Sequence, residues 1–305
     1  MTVLIAGPTA SGKSSLAMTL AERLGGVIVN ADAMQVYRDL RVLTARPSVA
    51  EERAVPHALF GTVDAAEAHS VAAWLADMRT ALAQAAAAGR RPIVVGGTGL
   101  YLAALTEGLS PMPPVPDDVR AFWREGRAAS ASEELHAELA RRDARMAARL
   151  RPSDRQRVVR ALEVFEATGR SLADWQGERA APLVSPTDAV RIVIAPPREA
   201  LRAAIAARFD TMMDEGAVAE AAALSARNLD AGLPAMKAIG VRPLADYAAG
   251  RLDRSHAIDQ SVTESRQYAK RQETWFRHRF ADWTRVANGA EGVALVAGAA
   301  PLGGG

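Results

Sequence analysis

The chain has 305 residues, of which 49% are hydrophobic and 24% charged, and its formal net charge is only +2. It contains no cysteine, which excludes disulfides and thiolate metal sites. We predict a globular protein of one large domain or two smaller ones. No stretch is long and apolar enough for a membrane span, and the N-terminal apolar run lacks the basic start of a signal peptide, so we expect a cytoplasmic protein without a membrane partner.

The first hundred residues alternate short apolar runs with helical patterns. In chain order they predict a strand at 2–6, a helix at 13–24, a strand at 27–30, a helix at 70–88 and a strand at 92–95. This alternation is typical of an α/β fold, a parallel sheet with helices on both faces.

Past a proline-rich joint, the chain becomes helical and rich in arginine, and a strand at 191–195 is then predicted to return to the sheet. We therefore predict a helical insertion in an α/β core, followed by more helices and a Gly- and Ala-rich tail. The predicted divisions are a catalytic core at 1–116 and 187–286, an Arg-rich insertion at 117–186 and a disordered tail at 287–305.

Residues 7–14 read GPTASGKS and fit the phosphate-loop pattern, with a strand before and a helix after. Backbone N–H groups at a helix N-terminus bind phosphate, Lys13 adds a positive charge, and Ser14 can bind Mg²⁺. The pattern is the signature of nucleotide-binding and ATP-binding proteins, but it specifies only linked phosphates and a metal. The predicted diphosphate-binding residues are Gly7, Pro8, Thr9, Ala10, Ser11, Gly12, Lys13 and Ser14.

The two following strands do not end as those of a phosphate-loop NTPase do. PIVVGGTG ends in Gly-Gly-Thr, VIVNAD ends in Asp32 without a hydrolytic Glu nearby, and no guanine-reading N-K-x-D is present. Asp32 is a candidate Mg²⁺ ligand or general base, or else the cap of a helix starting near Ala33. Thr98 is either a hydroxyl donor or a turn residue. Because ligands bind beyond the carboxyl ends of parallel strands, we expect Ser11, Asp32 and Thr98 to meet in one crevice.

Six motifs occur in order between about residues 3 and 285: GPTASGKS, NADAMQVYRDLRVLTARP, VGGTGLYLAALTEGLSPMP, DRQRVVRALEVFEATG, AIGVRPL and ESRQYAKRQETWFRHRF. Together they closely resemble the bacterial tRNA dimethylallyltransferases, also called tRNA isopentenyltransferases. The resemblance implies a phosphate-loop core with a helical insertion and a requirement for Mg²⁺. It also implies transfer of a dimethylallyl group from dimethylallyl diphosphate to N6 of adenine 37, in tRNAs that read codons beginning with U.

The same resemblance implies roles for individual residues. The phosphate loop binds the diphosphate of the prenyl donor rather than a nucleotide, Asp32 is the general base, Thr98 lies near the reacting amine, and Arg208 helps to hold the diphosphate. The anticodon stem-loop is the RNA partner, and we expect a monomer. The implied RNA-contacting residues are Asp32, Ala33, Met34, Gln35, Thr98, Arg120, Gln156, Arg157, Val158, Val159, Arg160, Lys237, Ala238, Ile239, Gly240, Val241, Arg242, Lys270, Arg271, Gln272, Glu273, Thr274, Trp275, Phe276 and Arg277.

The chain departs from the family pattern at two places. Where relatives usually read D-I-G-T-A-K-P, this chain has Arg41, Leu43 and Arg46 in place of the acid, glycine and lysine. Where many relatives read G-Y-R-Q, it has a sequence ending in Pro243. These differences put local loop geometry and some RNA contacts in question, and leave the core chemistry intact.

Two basic stretches are candidate RNA surfaces. Arg141, Arg145 and Arg149 are spaced four apart and are predicted to share one helix face, which is either an RNA surface or an ordinary solvated face. The stretch RQYAKRQETWFRHR mixes cations with aromatics, and either binds RNA, docks on the core as an amphipathic helix, or does both. Three alternatives remain: a small-molecule or nucleotide kinase, a non-catalytic RNA-binding nucleotide sensor, and an enzyme that prenylates free adenine nucleotides.

Overall fold

A computed structural model describes residues 1–299. The chain divides into two compact units. The first, the catalytic unit, contains Met1–Thr106 and the chain from Leu183 onward, and the second, the insertion unit, contains Glu107–Pro182. No helix within the described residues is both long and apolar enough to cross a lipid bilayer.

The strands are β1 (Thr2–Ala6), β2 (Gly26–Asn30), β3 (His57–Ala58), β4 (Arg91–Gly96), β5 (Ala189–Ile194) and β6 (Thr284–Val286). The helices are α1 (Lys13–Leu24), α2 (Val49–Ala54), α3 (Val71–Ala87), α4 (Gly99–Glu107), α5 (Asp117–Ala121), α6 (Ser132–Arg142), α7 (Ala144–Ala147), α8 (Arg155–Thr168), α9 (Leu172–Trp175), α10 (Arg198–Asp214), α11 (Ala217–Ala226), α12 (Val241–Ala248), α13 (Arg254–Arg279) and α14 (Gly289–Ala299). A π-helical turn covers Phe122–Gly126, and 3₁₀ turns cover Pro186–Asp188 and Ala235–Lys237.

The six strands form one parallel sheet in the order β3-β2-β4-β1-β5-β6, which confirms the predicted α/β class. Ile5 in β1 lies opposite Val95 in β4 and Ile192 in β5. The carboxyl ends of β1, β2 and β4 therefore lie side by side along one edge of the sheet. That edge is where the phosphate loop, Asp32 and Thr98 follow their strands.

Both faces of the sheet are covered. Leu4 and Val94 belong to a core shared with α3, α4 and α10 to α13, while Ile5 and Ile93 belong to a core shared with α1 and α14. Successive residues of a strand point to opposite faces, so an unbroken apolar run is what a doubly covered strand requires. This explains why short apolar runs predicted the four inner strands β1, β2, β4 and β5, whereas the short edge strands β3 and β6 were not predicted.

The predicted disordered tail at 287–305 is wrong for its first part. Glu291 donates its backbone N–H to Asn288 Oδ1 at 3.0 Å at the start of α14, and Val296 is 1% exposed. A Cβ on Gly292 would lie 2.5 Å from Leu16 Cδ2, so the helix packs directly against α1. The Gly- and Ala-rich composition of this segment suggested disorder. Asn288 nevertheless caps α14, and the apolar face of that helix packs into the core. Residues 300–305 lie outside the described residues.

The insertion unit has its own core, to which α6 and α8 contribute Leu135, Leu139 and Leu162. The unit covers 107–182 rather than the predicted 117–186. The reason is that the proline-rich joint belongs to it, since Ala180 donates its N–H to Leu109 C=O at 3.0 Å and Val115 is 3% exposed in this core.

The prediction of one helix face for Arg141, Arg145 and Arg149 is wrong. Helix α6 ends at Arg142, and Asp143 then caps the short helix α7 by accepting the Met146 N–H at 3.0 Å. The capping aspartate breaks the helical repeat between the first and second of these arginines.

Candidate active site

The phosphate loop joins β1 to α1. Gly12 adopts φ 86°, a left-handed conformation that suits glycine, and no side chain caps the first turn of α1. The N–H groups of that turn are thus left for an external acceptor. Lys13 is 8% exposed and its Nζ donates to Pro8 C=O at 3.4 Å. The local geometry is that of an anion site.

The cations beside this loop are partly removed from water. Burial lowers the pKa of Lys13 to about 8, while the Asp32 carboxylate raises it and Arg208 lowers it further. Burial likewise lowers the pKa of Arg208, against the opposing effect of Asp32. A bound anion would favour the protonated form of both side chains.

Asp32 follows β2 in a loop that is held by a buried asparagine. Asn30 is fully buried and its Nδ2 donates to the carbonyls of Asp32 (2.9 Å) and Leu59 (3.0 Å), while its Oδ1 accepts the Asp32 N–H at 2.8 Å. Asp32 Oδ1 accepts the Met34 N–H at 3.0 Å. The alternative that Asp32 caps a helix near Ala33 is wrong, because the next helix of the chain is α2.

Thr98 follows β4 and is tied to the same loop. Its Oγ1 accepts the Ala33 N–H at 2.9 Å, and its own N–H donates to Ala31 C=O at 3.3 Å. It therefore serves as a turn residue, while its hydroxyl proton stays available for a further contact. Tyr268, on α13, lines the same cavity as Thr98, and burial raises the pKa of its phenol, so the phenol stays protonated.

These elements enclose a cavity of about 370 Å³. Its polar lining includes Thr9, Lys13, Ser14, Asp32, Gln35, Thr98, Arg208, Lys237, Ser265, Tyr268 and Arg271. Its apolar lining includes Ala10, Ala33, Met34, Leu43, Ile205, Phe209, Met212, Ala238 and Ile239. Asp32 and Thr98 thus meet as expected. Ser11 does not line this cavity and instead lines a neighbouring one of about 620 Å³, with Lys13 and Arg208.

The comparisons with known proteins agree on one family. Residues 35–279 match the model for "IPP transferase" and residues 1–58 the model for "Isopentenyl transferase". The tRNA dimethylallyltransferase of Azorhizobium caulinodans is 54% identical over 285 residues, which is 93% of this chain and 91% of that one.

The chain belongs to the tRNA dimethylallyltransferase family. Among solved structures, the tRNA isopentenylpyrophosphate transferase of Bacillus halodurans is 33% identical with a TM-score of 0.69, covering 97% of this chain and 95% of that one. A eukaryotic dimethylallyltransferase acting on tRNA is 24% identical and shares the fold, with a TM-score of 0.82 over 99% of this chain and 81% of that one. The family assignment confirms the resemblance and selects a tRNA prenyltransferase over the kinase and nucleotide-sensor alternatives.

Several lining residues of this family site escaped sequence reasoning. Tyr268 was noted only as an aromatic in a basic stretch, and the wall formed by Ile205, Phe209 and Met212 was not singled out. The sequence did contain a helical spacing that indicates this wall. Ile205, Phe209 and Met212 share one face of α10, the helix that also carries Arg208. Pattern alone does not tell which face of a helix meets a ligand.

The residues assigned to RNA contact fall into three sets by burial, and RNA contact stays a prediction for all of them. The side chains of the buried set pack inside the protein: Val158, Val159, Ala238, Val241, Gln272 and Phe276. The exposed set consists of Gln156, Arg157, Lys237, Arg242, Lys270, Arg271, Thr274, Trp275 and Arg277. The others are partly exposed, apart from Gly240, which is buried. Arg120 is engaged locally, donating to Val115 C=O at 2.8 Å.

The departures from the family pattern lie in an ordered segment. The N–H groups of Arg41, Val42 and Leu43 all donate to the carboxylate of Glu220 on α11, at 2.7 to 2.8 Å. Arg46 donates to the carbonyls of Tyr37 and Arg38, both at 3.2 Å. Pro243 is buried in the first turn of α12, where a missing N–H costs no helix hydrogen bond. These substitutions are therefore accommodated by internal contacts.

The cavity residues suit Mg²⁺. Ser14 offers an exposed hydroxyl at the start of α1, and the Asp32 carboxylate lies in the same cavity. Residues 1–299 contain no group of three or more His, Asp or Glu arranged to hold a metal by themselves. Mg²⁺ is commonly held by one or two protein oxygens together with substrate phosphates, so this sparse oxygen set fits it.

Proposed function

We propose that this chain transfers a dimethylallyl group from dimethylallyl diphosphate to N6 of adenine 37, in tRNAs that read codons beginning with U. The observation that carries the proposal is that one cavity, of about 370 Å³, combines phosphate-loop groups, a carboxylate and an apolar wall. The wall of Ile205, Phe209 and Met212 suits a short branched hydrocarbon, and the loop suits the diphosphate attached to it.

The phosphate loop, Lys13 and Arg208 are assigned to the leaving group. In the reaction the bond from C1 of the donor to the diphosphate oxygen breaks, and its electron pair leaves with the diphosphate. Negative charge therefore accumulates where the N–H groups of the first turn of α1 and the two cations converge. Hydrogen-bond donors and cations that already surround the developing negative charge lower the activation barrier, because they need not reorganise during the reaction.

Asp32 is assigned as the general base. The exocyclic amine of adenine attacks C1, and the new N6–C1 bond leaves one proton to be removed. The Asp32 carboxylate takes that proton, while the Thr98 hydroxyl orients the amine. Asp32 keeps Oδ2 for this role, since the hydrogen bond from Met34 is made to Oδ1. Base catalysis of this kind is typically worth ~10²–10⁴-fold in rate.

We propose that Mg²⁺ is held by Ser14 and the donor phosphates. When bound, it neutralises charge on the diphosphate. The proposed active form is a monomer that works in the cytoplasm on the tRNA anticodon stem-loop. The target base must leave its stack in the anticodon loop to enter the cavity, at a cost of a few kcal/mol.

The test is to incubate the protein with Mg²⁺, dimethylallyl diphosphate and an anticodon stem-loop with adenosines at positions 36, 37 and 38, and then to measure the mass of the RNA. A gain of one dimethylallyl group, abolished when position 37 is not adenosine, is the expected result. An unchanged RNA together with ATP turnover would support a kinase instead.

A further inference from the structure

Gln272 connects two loops of the active site from within the protein core. It lies on α13, is 5% exposed, and uses both ends of its amide. Its Oε1 accepts the Thr9 N–H of the phosphate loop at 2.9 Å, and its Nε2 donates to the Gly97 carbonyl at 2.8 Å. The loops it joins follow the neighbouring strands β1 and β4, which pair as far as Ala6 and Gly96, and Gln272 continues the connection beyond the ends of the strands.

The fit around this amide is tight. A Cβ on Gly97 would lie 2.2 Å from Gln272 Nε2, so the carbonyl is reached only because residue 97 has no side chain. Thr98 directly follows Gly97 in the chain and accepts the Ala33 N–H, next to Asp32. The connection made by Gln272 therefore reaches from the phosphate loop, through Gly97 and Thr98, to the loop of the proposed base.

We propose that Gln272 is a positioning residue, which sets the donor diphosphate at the right distance from the amine that attacks it, and that it does not contact RNA. This inference rests on the prenyl transfer proposed above. The two reactants bind to different loops, and a displacement of about 1 Å between reacting groups can cost ~10²-fold in rate. A buried amide that holds both loops limits that displacement, and its burial keeps it away from the RNA.

The test compares three proteins: wild type, Gln272→Met and Gln260→Ala. Methionine fills a similar volume without hydrogen-bonding the two loops, so it preserves packing and removes the connection. Gln260 is an exposed glutamine on the same helix, outside the basic stretch, and is the matched control. We expect Gln272→Met to lower kcat by ~10–100-fold and weaken binding of inorganic diphosphate by ~10-fold, with RNA affinity unchanged, because two buried hydrogen bonds are lost. Gln260→Ala should match wild type in every assay.

A second readout does not depend on the reaction. Amide hydrogen exchange at Thr9 should accelerate in Gln272→Met and stay at the wild-type rate in Gln260→Ala. If wild type fails to prenylate RNA, the proposed function fails, while the exchange and diphosphate measurements still decide the positioning role. Gln272→Met with wild-type kcat, diphosphate affinity and Thr9 exchange would overturn the inference, and so would a selective loss of RNA affinity.

Discussion

The two units of this protein use their positive charges differently. In the insertion unit, five of the eight arginines between 141 and 160 form ion pairs with carboxylates of the same unit: Arg141 with Glu138, Arg142 with Glu138 and Glu166, Arg145 with Asp174, Arg157 with Asp154, and Arg160 with Glu163. Arg155 donates to three backbone carbonyls. In the catalytic unit, the cations of the cavity, Lys13, Arg208, Lys237 and Arg271, form no ion pair within residues 1–299.

The difference shows that a count of basic residues does not locate an anion site. A dense run of arginines supports its own unit when acidic residues lie at matching positions, and surface pairs of this kind are worth little individually. A few cations without carboxylate partners, set in a cavity, are instead available to a ligand.

The largest effect is expected from Asp32→Asn. The side chain can still accept the Met34 N–H, so the loop is preserved, but it can no longer take a proton. We expect kcat to fall ~10²–10⁴-fold with unchanged RNA affinity. Single-turnover transfer and RNA binding should be measured on the same preparation, with the exposed Asp259→Asn as control. An equal loss of rate and RNA affinity would contradict the base assignment.

Lys13→Ala removes the buried cation of the phosphate loop. We expect kcat/KM for dimethylallyl diphosphate to fall ~10²–10³-fold, because the ammonium group that stabilises the departing diphosphate is lost. Lys270→Ala, at an exposed position on α13, should do the opposite, weakening RNA binding and sparing the donor. Steady-state kinetics with each substrate varied in turn separates the two, and a Lys13 variant with normal donor kinetics would refute its role.

Substitutions of Arg208 test whether binding of the donor diphosphate depends on the planar shape of the guanidinium group as well as on its charge. Arg208→Ala is expected to reduce kcat/KM for the donor ~10–100-fold, because a hydrogen bond to a charged group is lost. Arg208→Lys should recover only part of the loss, since lysine lacks the planar fork that matches a phosphate. Full recovery in donor kinetics would mean that only the charge is used.

Two glycines of α14 provide a matched pair for stability. Gly292→Ala places a methyl group against Leu16, and overpacking of this kind costs ~1–3 kcal/mol. Gly298→Ala meets no neighbouring atom and should stabilise the helix by ~0.5–1 kcal/mol. Urea unfolding of both variants checks the packing of α14, and equal behaviour would show that the helix does not pack on α1.

The smallest effect concerns the insertion unit. Arg149 is exposed and has no ion-pair partner within the described residues, whereas Arg145 pairs with Asp174. If the unit contacts RNA phosphates, Arg149→Ala should reduce the slope of log affinity against log salt by about 1, and Arg145→Ala by less. Identical slopes in both variants and wild type would remove this surface from the RNA interface.

The sequence predicted the sheet and the carboxyl-end residues well, for a physical reason. Doubly covered strands must be apolar throughout, and Asp32 and Thr98 directly follow such strands. The sequence did not indicate that Tyr268 and Phe209 line the cavity, because they lie on α13 and α10, far along the chain from Asp32 and Thr98. It also missed the split between α6 and α7, where one capping residue, Asp143, outweighs an apparent helical repeat.

The phosphate loop is proposed to hold an isoprenoid diphosphate rather than a nucleotide. Equilibrium binding of dimethylallyl diphosphate and of ATP should be measured on wild type and on Lys13→Ala, with Mg²⁺ present. We expect wild type to bind the prenyl donor more tightly than ATP, Lys13→Ala to lose this binding, and ATP not to be hydrolysed. Tighter binding of ATP, with Lys13-dependent hydrolysis, would contradict it.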